Sequence, residues 1–297
     1  LLTRRADGAP RAAALGNFSG SRHPLASLLT RDLSLAAHPC AAAADGAAVG
    51  DLVAACERWA RARGATRLLV DSFMSGMSPW VPAADGYRES TRVEFLVDLT
   101  RETTALWQAI KKDQRERIRR LPREGITVEP GSSLDDMRGL GAVRQATQAK
   151  RARRGQGYDL ATDESFYAAL HERLVKPGAG RLFVARQAGE VVAAIFFTAF
   201  NRIAYSTFSG STEAAYRIGA QSGLYWLAVE TFKAEGFTVL NRGGVPAAAE
   251  SEGDPLHGIY QFKLRLGTAP VRCRSGQKVL RPLRHRLGRI LRDRLGR

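Results

Sequence analysis

Between residues 125 and 274 the sequence alternates strand-like and helix-like segments in an order that restricts the folds open to it. The order is one strand, two helices, three strands, a helix, a strand, a short helix and a final strand. This order predicts a mixed α/β unit in which helices pack on a single sheet. The segments are GITVEP, LDDMRGLGAVRQATQAKRARR, DESFYAALHERL, RLFVARQ, EVVAAIFFTAF, RIAYSTFSG, GAQSGLYWLAVETFKAEG, FTVLNRGG, GIYQFKLRLG and APVRCR.

The residues before Gly125 predict a second α/β unit. Residues 51–63 have helical periodicity and lead into the strand-like TRLLVDSF, and STRVEFLVDL is strand-like again. A chain of 297 residues has room for two ordinary domains. Because no charged leader or cleavage site opens the sequence, we expect Leu1 to lie inside a strand of a truncated chain.

Residues 102–121 predict one long helix, which Pro122 ends. We expect this helix to join the two halves. The expected divisions are a first half over 1–124, a second half over 125–275 and a tail over 276–297.

Composition excludes several classes of protein. Three scattered cysteines form neither a disulfide framework nor a metal cage, and they fit a reducing cytoplasm. The five histidines are also dispersed, and His257 alone stays open as a functional side chain because it lies beside a motif described below. No window approaches the roughly 20 apolar residues of a membrane-spanning helix. These features predict a soluble cytoplasmic protein with no bound metal and no resident cofactor.

The positive charge is concentrated at the end of the chain. The formal net charge is +16, and residues 272–297 carry nine arginines and one lysine against one aspartate. From Leu280 onward, leucine and isoleucine recur at helical spacing with arginines beside them. Such a helix is typical of contact with an anionic membrane surface. A solvated tail and a helix docked on the protein's own body are the open alternatives.

Three motifs of the second half occur in a fixed order. They are the loop and helix AYRIGAQSGLYWLAVETFKAEG, a strand that ends in NRGG, and GIYQFKLRLGTAPV, in which Gly258, Phe262, Lys263 and Gly267 have the spacing G-x-x-x-FK-x-x-x-G. Upstream, LWQAIKKDQRERIRRLPREGITVEP places a tryptophan and spaced arginines before a strand. Together these motifs resemble the FemAB group of the GNAT acetyltransferase superfamily, most clearly from about Ser90 to Val271.

The resemblance implies two tandem GNAT-like halves joined by a helix, and transfer of an acyl or aminoacyl group to an amine or hydroxyl of a cell-envelope precursor such as that of peptidoglycan. It implies aminoacyl-tRNA or acyl-CoA as donor. Tyr216 and Gln221 depart from the acetyltransferase loop pattern, which favours aminoacyl-tRNA. Two alternatives stay open: an acetyl-CoA-dependent N-acetyltransferase on a small molecule or polysaccharide precursor, and a non-catalytic binding module on the same fold.

A helix that begins after a glycine-containing loop presents backbone N–H groups and the positive end of its dipole. The loop around Gly219 therefore predicts a site for the phosphates of the donor. We assign donor binding there and to the glycine pair of the NRGG strand. The assigned residues are Arg217, Ile218, Gly219, Ala220, Gln221, Ser222, Gly243 and Gly244.

Acyl transfer needs a developing oxyanion stabilised and a proton delivered to the leaving group. Tyr260 and Lys263 are three residues apart and share a face if their segment is helical, so they are the candidate catalytic residues. The resemblance supports Lys263 in particular. We expect the anionic acceptor to bind between the halves, where the helices 102–121 and 134–154 meet, held by guanidinium groups. The candidate residues for this are Arg115, Arg119, Arg144 and Arg154.

Overall fold

The structure, a computed structural model, describes residues 2–4, 9–20, 29–41, 45–71, 73, 75, 78, 80–153, 155 and 163–295. Its contacts divide the chain into two compact units. The first consists of Leu1–Glu94, Pro246–Ala248 and Val271–Arg297, and the second of Phe95–Val245 and Ala249–Pro270. Each unit is α/β, which confirms the predicted class. The predicted boundary at residue 124 falls inside the second unit, and as a boundary between domains it stays a prediction.

The first unit contains two sheets and two helices among the described residues. Strands β3, β4, β6 and β13 are neighbours in that order, with β7 next, while β1, β2 and β5 form a small separate sheet. The bounds are β1 (Leu2–Arg4), β2 (Pro10–Ala13), β3 (Gly16–Gly20), β4 (Arg31–Leu35), β5 (Cys40–Ala41), α1 (Gly46–Ala62), β6 (Arg67–Val70), the first part of β7 (Arg88–Asp98), most of β13 (Ala269–Val279) and α9 (Pro282–Leu295).

Helix α1 starts earlier than its periodicity indicates, because Asp45 caps it by accepting a hydrogen bond from the amide of Ala48 at 2.9 Å. Its apolar face, which includes Leu52 and Cys56, is buried in the core of the first unit.

From Gly125 onward the elements follow the order that the sequence predicts, with one helix more, α6 (Glu213–Ile218). Strands β12, β11, β10, β9 and β8 are neighbours in that order, with β7 next to β12. The bounds are α2 (Thr103–Ala109), α3 (Lys112–Arg120), β8 (Ile126–Gly131), α4 (Leu134–Ala152), α5 (Glu164–Leu170), β9 (Gly180–Gln187), β10 (Glu190–Phe200), β11 (Ile203–Ser211), α6 (Glu213–Ile218), α7 (Ala220–Ala234), β12 (Val239–Pro246) and α8 (His257–Leu264).

The core predicted for this half is largely confirmed. Phe183, Ile195, Phe197 and Leu240 are buried in one apolar cluster, and Val192 packs against that cluster while partly buried. Val239 is also only partly buried. The cluster also contains Leu224, Ala228 and Phe232 of α7, so it packs that helix against the sheet.

The predicted single helix over residues 102–121 is wrong in one respect, because two helices occupy that segment. Ile110 has an extended conformation, with φ −69° and ψ 132°, and ends α2. The amide of Lys111 then donates to the carbonyl of Arg265 at 2.8 Å. The guanidinium of Arg115 donates to the carbonyls of Gln108 and Ile110, both at 2.9 Å, and so satisfies groups that the break leaves unbonded. These tertiary hydrogen bonds lie outside what local periodicity records.

The expected tail also begins later than residue 276. Strand β13 continues to Val279, and its residues Gly276–Val279 pair antiparallel with β6. Leu280 is buried in the core of the first unit. The basic helix α9 therefore starts at Pro282, and a chain cut after Arg274 loses the residues of β13 that pair with β6.

Candidate active site

A cavity of about 540 Å³ opens in the second unit at the start of α7. Three segments line it: helix α3, the junction of α6 and α7, and one face of α8. The lining residues are Asp113, Gln114, Arg117, Tyr216, Arg217, Gly219, Gln221, Ser222, Gly258, Gln261, Phe262 and Arg265.

Gly219 ends α6 and begins α7. Its φ of 97° lies in the left-handed region, which glycine adopts without steric penalty. No side chain caps α7 at this position. The first turn of a 15-residue helix, with the positive end of its dipole, therefore lies at the cavity wall. This arrangement suits a phosphate or another anion.

The side chains of the cavity carry net positive charge, since its lining has three arginines and one aspartate. Arg265 forms a salt bridge of 2.8 Å with Asp113. Although partial burial acts in the opposite direction, the hydrogen bonds from Arg265 and Gln114 hold the pKa of Asp113 below its ordinary value. Arg117 donates to the carbonyl of Arg217 at 3.0 Å, which holds one guanidinium beside the glycine turn.

A smaller cavity of about 180 Å³ adjoins the first through Tyr216, which lines both. The ring of Tyr216 is exposed, and the ammonium of Lys150 lies 4.0 Å from its centre. Arg151 also lines this second cavity. An exposed aromatic ring among basic side chains is a surface on which a nucleotide base can stack.

Strands β11 and β12 separate beside these cavities. Their parallel pairing covers Ile203–Tyr205 and Val239–Asn241, although β11 runs on to Ser211 and β12 to Pro246. Just past the last pair, Gly243 has a φ of 69°, and its amide donates to the side chain of Asn241 at 2.8 Å. The ammonium of Lys263 donates to the carbonyl of Arg242 at the same place.

Helix α8 has two different faces. Tyr260 and Lys263 both contact Phe95, with the rings 5.4 Å apart and the ammonium 5.5 Å from the ring centre. The two candidate catalytic residues therefore share a face, as their spacing predicts. The other face, with Gly258, Phe262 and Arg265, lines the cavity.

A sequence profile described as "Acetyltransferase (GNAT) domain" matches residues 108–263. The chain belongs to this family. The matched range of the GNAT domain contains α3, the glycine turn and α8 up to Lys263, and so most of the cavity lining. A search of curated proteins found no match to the chain.

Solved structures show that the fold extends beyond the GNAT domain itself. FemX is similar over 95% of this chain and 88% of its own, with a TM-score of 0.72 and 13% identity. L-PGS from Bacillus licheniformis is similar over 97% and 88%, with a TM-score of 0.57 and 16% identity. The C-terminal domain of a putative lysylphosphatidylglycerol synthetase from Agrobacterium fabrum is similar over 93% and 83%, with a TM-score of 0.59 and 18% identity. The chain thus has the tandem FemAB-like fold that the motifs resemble.

The GNAT cavity brings together half of the residues assigned to the donor. Arg217, Gly219, Gln221 and Ser222 line it, whereas Ile218 and Ala220 pack into the core. Gly243 and Gly244 lie in β12, outside the lining. The amide of Gln221 donates to the carbonyl of Gly210 at 2.7 Å, and the hydroxyl of Ser222 donates to Gln114 at 2.8 Å. Both side chains therefore hold the turn in place, and the donor role of these residues stays a prediction.

Three of the four arginines that we predict to bind the acceptor make other contacts in the described part of the chain. Arg115 donates to the end of α2, and the guanidinium of Arg119 lies 5.4 Å from the ring centre of Trp107. Arg144 is buried, donates to the hydroxyl of Tyr167 at 2.9 Å and lies over Phe208. Packing and helix ends occupy these three groups, and none lines the cavity. Arg154 lies outside the described residues. The location of the acceptor stays a prediction.

Sequence reasoning missed Arg117 and Arg265, which line the cavity instead. Arg265 had a signal, because it is seven residues after Gly258 and so lies on the same face of α8. Arg117 had none, since its position depends on the packing of α3 against α7.

His257 lies on α8, with one ring nitrogen 3.0 Å from the carbonyl of Ala249 and its ring stacked on Tyr260. It therefore supports the face that carries the candidate catalytic residues. Across the described ranges, no helix is both long and apolar enough to span a bilayer.

Proposed function

We propose that this protein is an acyltransferase that binds a phosphate-bearing donor in the cavity at the start of α7 and transfers its acyl group to an amine. The observation that carries the proposal is the convergence of the α7 N-terminus, Arg117 and Arg217 on one cavity of a GNAT domain. Both candidate donors, aminoacyl-tRNA and acyl-CoA, carry phosphates and an adenine. Tyr216 beside Lys150 offers a ring for that base.

The reacting carbonyl of the donor lies, in this proposal, where β11 and β12 separate. The amine attacks that carbonyl, its C–N bond forms, and the carbonyl electrons move onto oxygen. The ammonium of Lys263 stabilises the resulting oxyanion. The bond to the leaving oxygen or sulfur then breaks, and the proton lost by the amine passes to the leaving group by way of the phenol of Tyr260.

Two observations favour an aminoacyl donor over acetyl-CoA. The glycine turn departs from the acetyltransferase pattern at Tyr216 and Gln221, and the amide of Gln221 bonds to Gly210. Two structures of similar fold are named L-PGS and the C-terminal domain of a putative lysylphosphatidylglycerol synthetase. The second name describes an aminoacyl ester of an anionic lipid. We propose a cell-envelope precursor as the acceptor, as in the FemAB group. Acetyl-CoA is the alternative donor.

Donor binding tests this function. The purified chain is titrated with CoA and with an aminoacyl-tRNA, alongside Arg217→Ala and the control Arg202→Ala. The Arg202 guanidinium donates to the carbonyl of Gly236, just beyond the C-terminal end of α7. We expect tighter binding of aminoacyl-tRNA, and a loss of about tenfold in Arg217→Ala alone. Tighter binding of CoA would instead support acetyl-CoA as the acyl donor. Binding of neither donor contradicts the proposal and favours a non-catalytic module.

We also propose that α9 contacts an anionic membrane. Leu283, Leu287 and Ile290 form an exposed stripe on this helix, with 80%, 54% and 40% of their surfaces accessible. Arg286 and Arg289 are exposed beside it. The helix lies against the first unit through Gly288, close to Thr30, and this contact leaves Leu283 and Leu287 exposed. Apolar and basic side chains presented together match the two components of an anionic lipid surface.

A further inference from the structure

Arg242 is a buried guanidinium at the point where β11 and β12 separate. Only 2% of its surface is accessible. Its Nε and Nη2 atoms have no hydrogen-bond partner in the described part of the chain. Burial lowers the pKa of this arginine to about 10, with Tyr225 acting in the opposite direction. A buried charge with unbonded N–H groups is costly, and proteins retain one where it has a use.

The surroundings of Arg242 fix its plane. The guanidinium carbon lies 3.4 Å from the ring centre of Tyr225, so the group is stacked on that ring. The hydroxyl of Tyr225 lies 3.5 Å from that of Ser206, which follows the last paired residue of β11. Stacking restrains the face of the guanidinium and leaves its edge to other partners.

The two atoms without partners belong to one edge. In an arginine side chain, Nε–H and the outer N–H of Nη2 point in parallel along the same side of the guanidinium. This edge matches the two oxygens of a carboxylate, which it binds through paired hydrogen bonds. We infer that Arg242 binds a carboxylate group of the substrate.

This inference rests on the proposed function for the position of the reaction. The backbone carbonyl of Arg242 accepts from Lys263, so the guanidinium lies within one side-chain length of the proposed oxyanion site. Phe262, part of the cavity wall, has its ring 6.5 Å from that of Tyr225, on which Arg242 stacks. On this inference, we expect the carboxylate to lie a few bonds from the reacting carbonyl. It belongs either to the acyl group or to an amino acid that serves as acceptor.

Stability gives a first test. Arg242→Met keeps the length and removes the unbonded charge, so we expect its melting temperature to equal or exceed that of the parent. The matched variant Arg144→Met removes a buried guanidinium that does have a partner, because Arg144 donates to the hydroxyl of Tyr167. We expect its melting temperature to fall. A large fall for Arg242→Met, equal to that of Arg144→Met, contradicts the inference, because it makes Arg242 a structural residue.

Ligand binding gives the decisive test. In the full chain labelled with ¹⁵N-arginine, the Nε resonance of Arg242 is identified by its loss in Arg242→Met. Glutarate is expected to shift this resonance saturably, and neutral glutaramide to bind at least about tenfold more weakly. Inorganic phosphate is the competing oxyanion. No shift with glutarate, or an equal response to phosphate, overturns the assignment of a carboxylate.

Two further pairs of probes distinguish the source of the carboxylate. If the carboxylate belongs to the acyl group, the chain should prefer succinyl-CoA to acetyl-CoA. If it belongs to the acceptor, the chain should prefer alanine to alaninamide. Arg242→Met should abolish the preference within one pair. If the parent chain binds the members of these pairs but discriminates within neither pair, the inference fails. Failure of the proposed function has a different signature, because glutarate still shifts the Arg242 resonance while neither CoA nor aminoacyl-tRNA binds in the cavity.

Discussion

At the scale of single residues, Lys263 is the side chain on which the proposed chemistry most depends. Lys263→Ala removes the ammonium beside the separated strands and should reduce kcat about 100-fold or more, with a small change in KM. Steady-state kinetics with the donor identified by titration checks this. Lys176→Ala is the control, since that exposed lysine pairs with Glu172 in a turn away from α8. Equal kcat values for Lys263→Ala and Lys176→Ala would exclude a catalytic role.

Gly219 is the residue whose backbone shapes the proposed donor cavity. Its φ of 97° disfavours any L side chain, and a Cβ here lies 3.1 Å from the side chain of Arg117. We expect Gly219→Ala to lower the free energy of unfolding by about 1 kcal/mol or more and to weaken donor binding. Gly50→Ala, in the interior of α1 with open space around it, should instead raise the free energy of unfolding by about 0.5–1 kcal/mol. Chemical denaturation measures both, and a stable, tightly binding Gly219→Ala contradicts this account.

At the scale of helices and strands, local sequence patterns predict the elements that local interactions determine. The strands β9, β10 and β11 follow from alternating and β-branched residues, and the turn at Asn201 and Arg202, with φ of 47° and 62°, follows from its two-residue length. The break between α2 and α3 was not predictable, because the carbonyl of Arg265 and the side chain of Arg115 create it from distant or tertiary positions. The same limit applies to the site. The glycine turn was visible in the sequence, whereas Arg117 depended on helix packing.

The stability that the N-terminus of α4 contributes to the fold depends on pH, and this dependence can be measured. The carboxylate of Asp136 accepts from the amides of Ser132 and Ser133, both at 3.0 Å, and from Arg186. Burial raises the pKa of the Asp136 carboxyl, but these hydrogen bonds lower it by more, so the pKa is below its ordinary value. A lowered folded-state pKa means that the stabilisation is complete above the unfolded-state pKa, about 4, and is lost as pH falls through the folded-state value.

We therefore expect Asp136→Asn to melt at a lower temperature than the parent at neutral pH, by an amount equivalent to about 1 kcal/mol. The difference should shrink below about pH 4. Thermal melts from neutral to acidic pH measure it, and Asp135→Asn serves as the control because that side chain is exposed on the same turn. A constant difference at all pH values contradicts the assignment.

At the scale of the whole molecule, the proposed acyl transfer and the proposed membrane contact belong to different units of the chain. The proposed donor cavity lies in the second unit, while α9 and its arginines belong to the first. Changes in α9 should then alter where the protein binds without altering donor affinity. Substitutions on the exposed stripe are preferable to a deletion, because Gly288 packs close to Thr30 and Leu29 and removal of the helix also removes that contact.

The last prediction uses vesicles of phosphatidylglycerol and phosphatidylcholine in equal parts, with pure phosphatidylcholine as the neutral comparison. The parent chain should bind the anionic vesicles, and salt should weaken that binding because it screens exposed charges. Replacing Leu283, Leu287 and Ile290 together by serine removes the apolar stripe, and Arg286→Gln with Arg289→Gln removes charge worth about 1 kcal/mol for each residue. We expect both variants to bind roughly tenfold more weakly or worse. Their melting temperatures and donor affinities should match those of the parent, since these side chains are exposed. Equal vesicle binding by the parent and the serine variant contradicts membrane contact through α9.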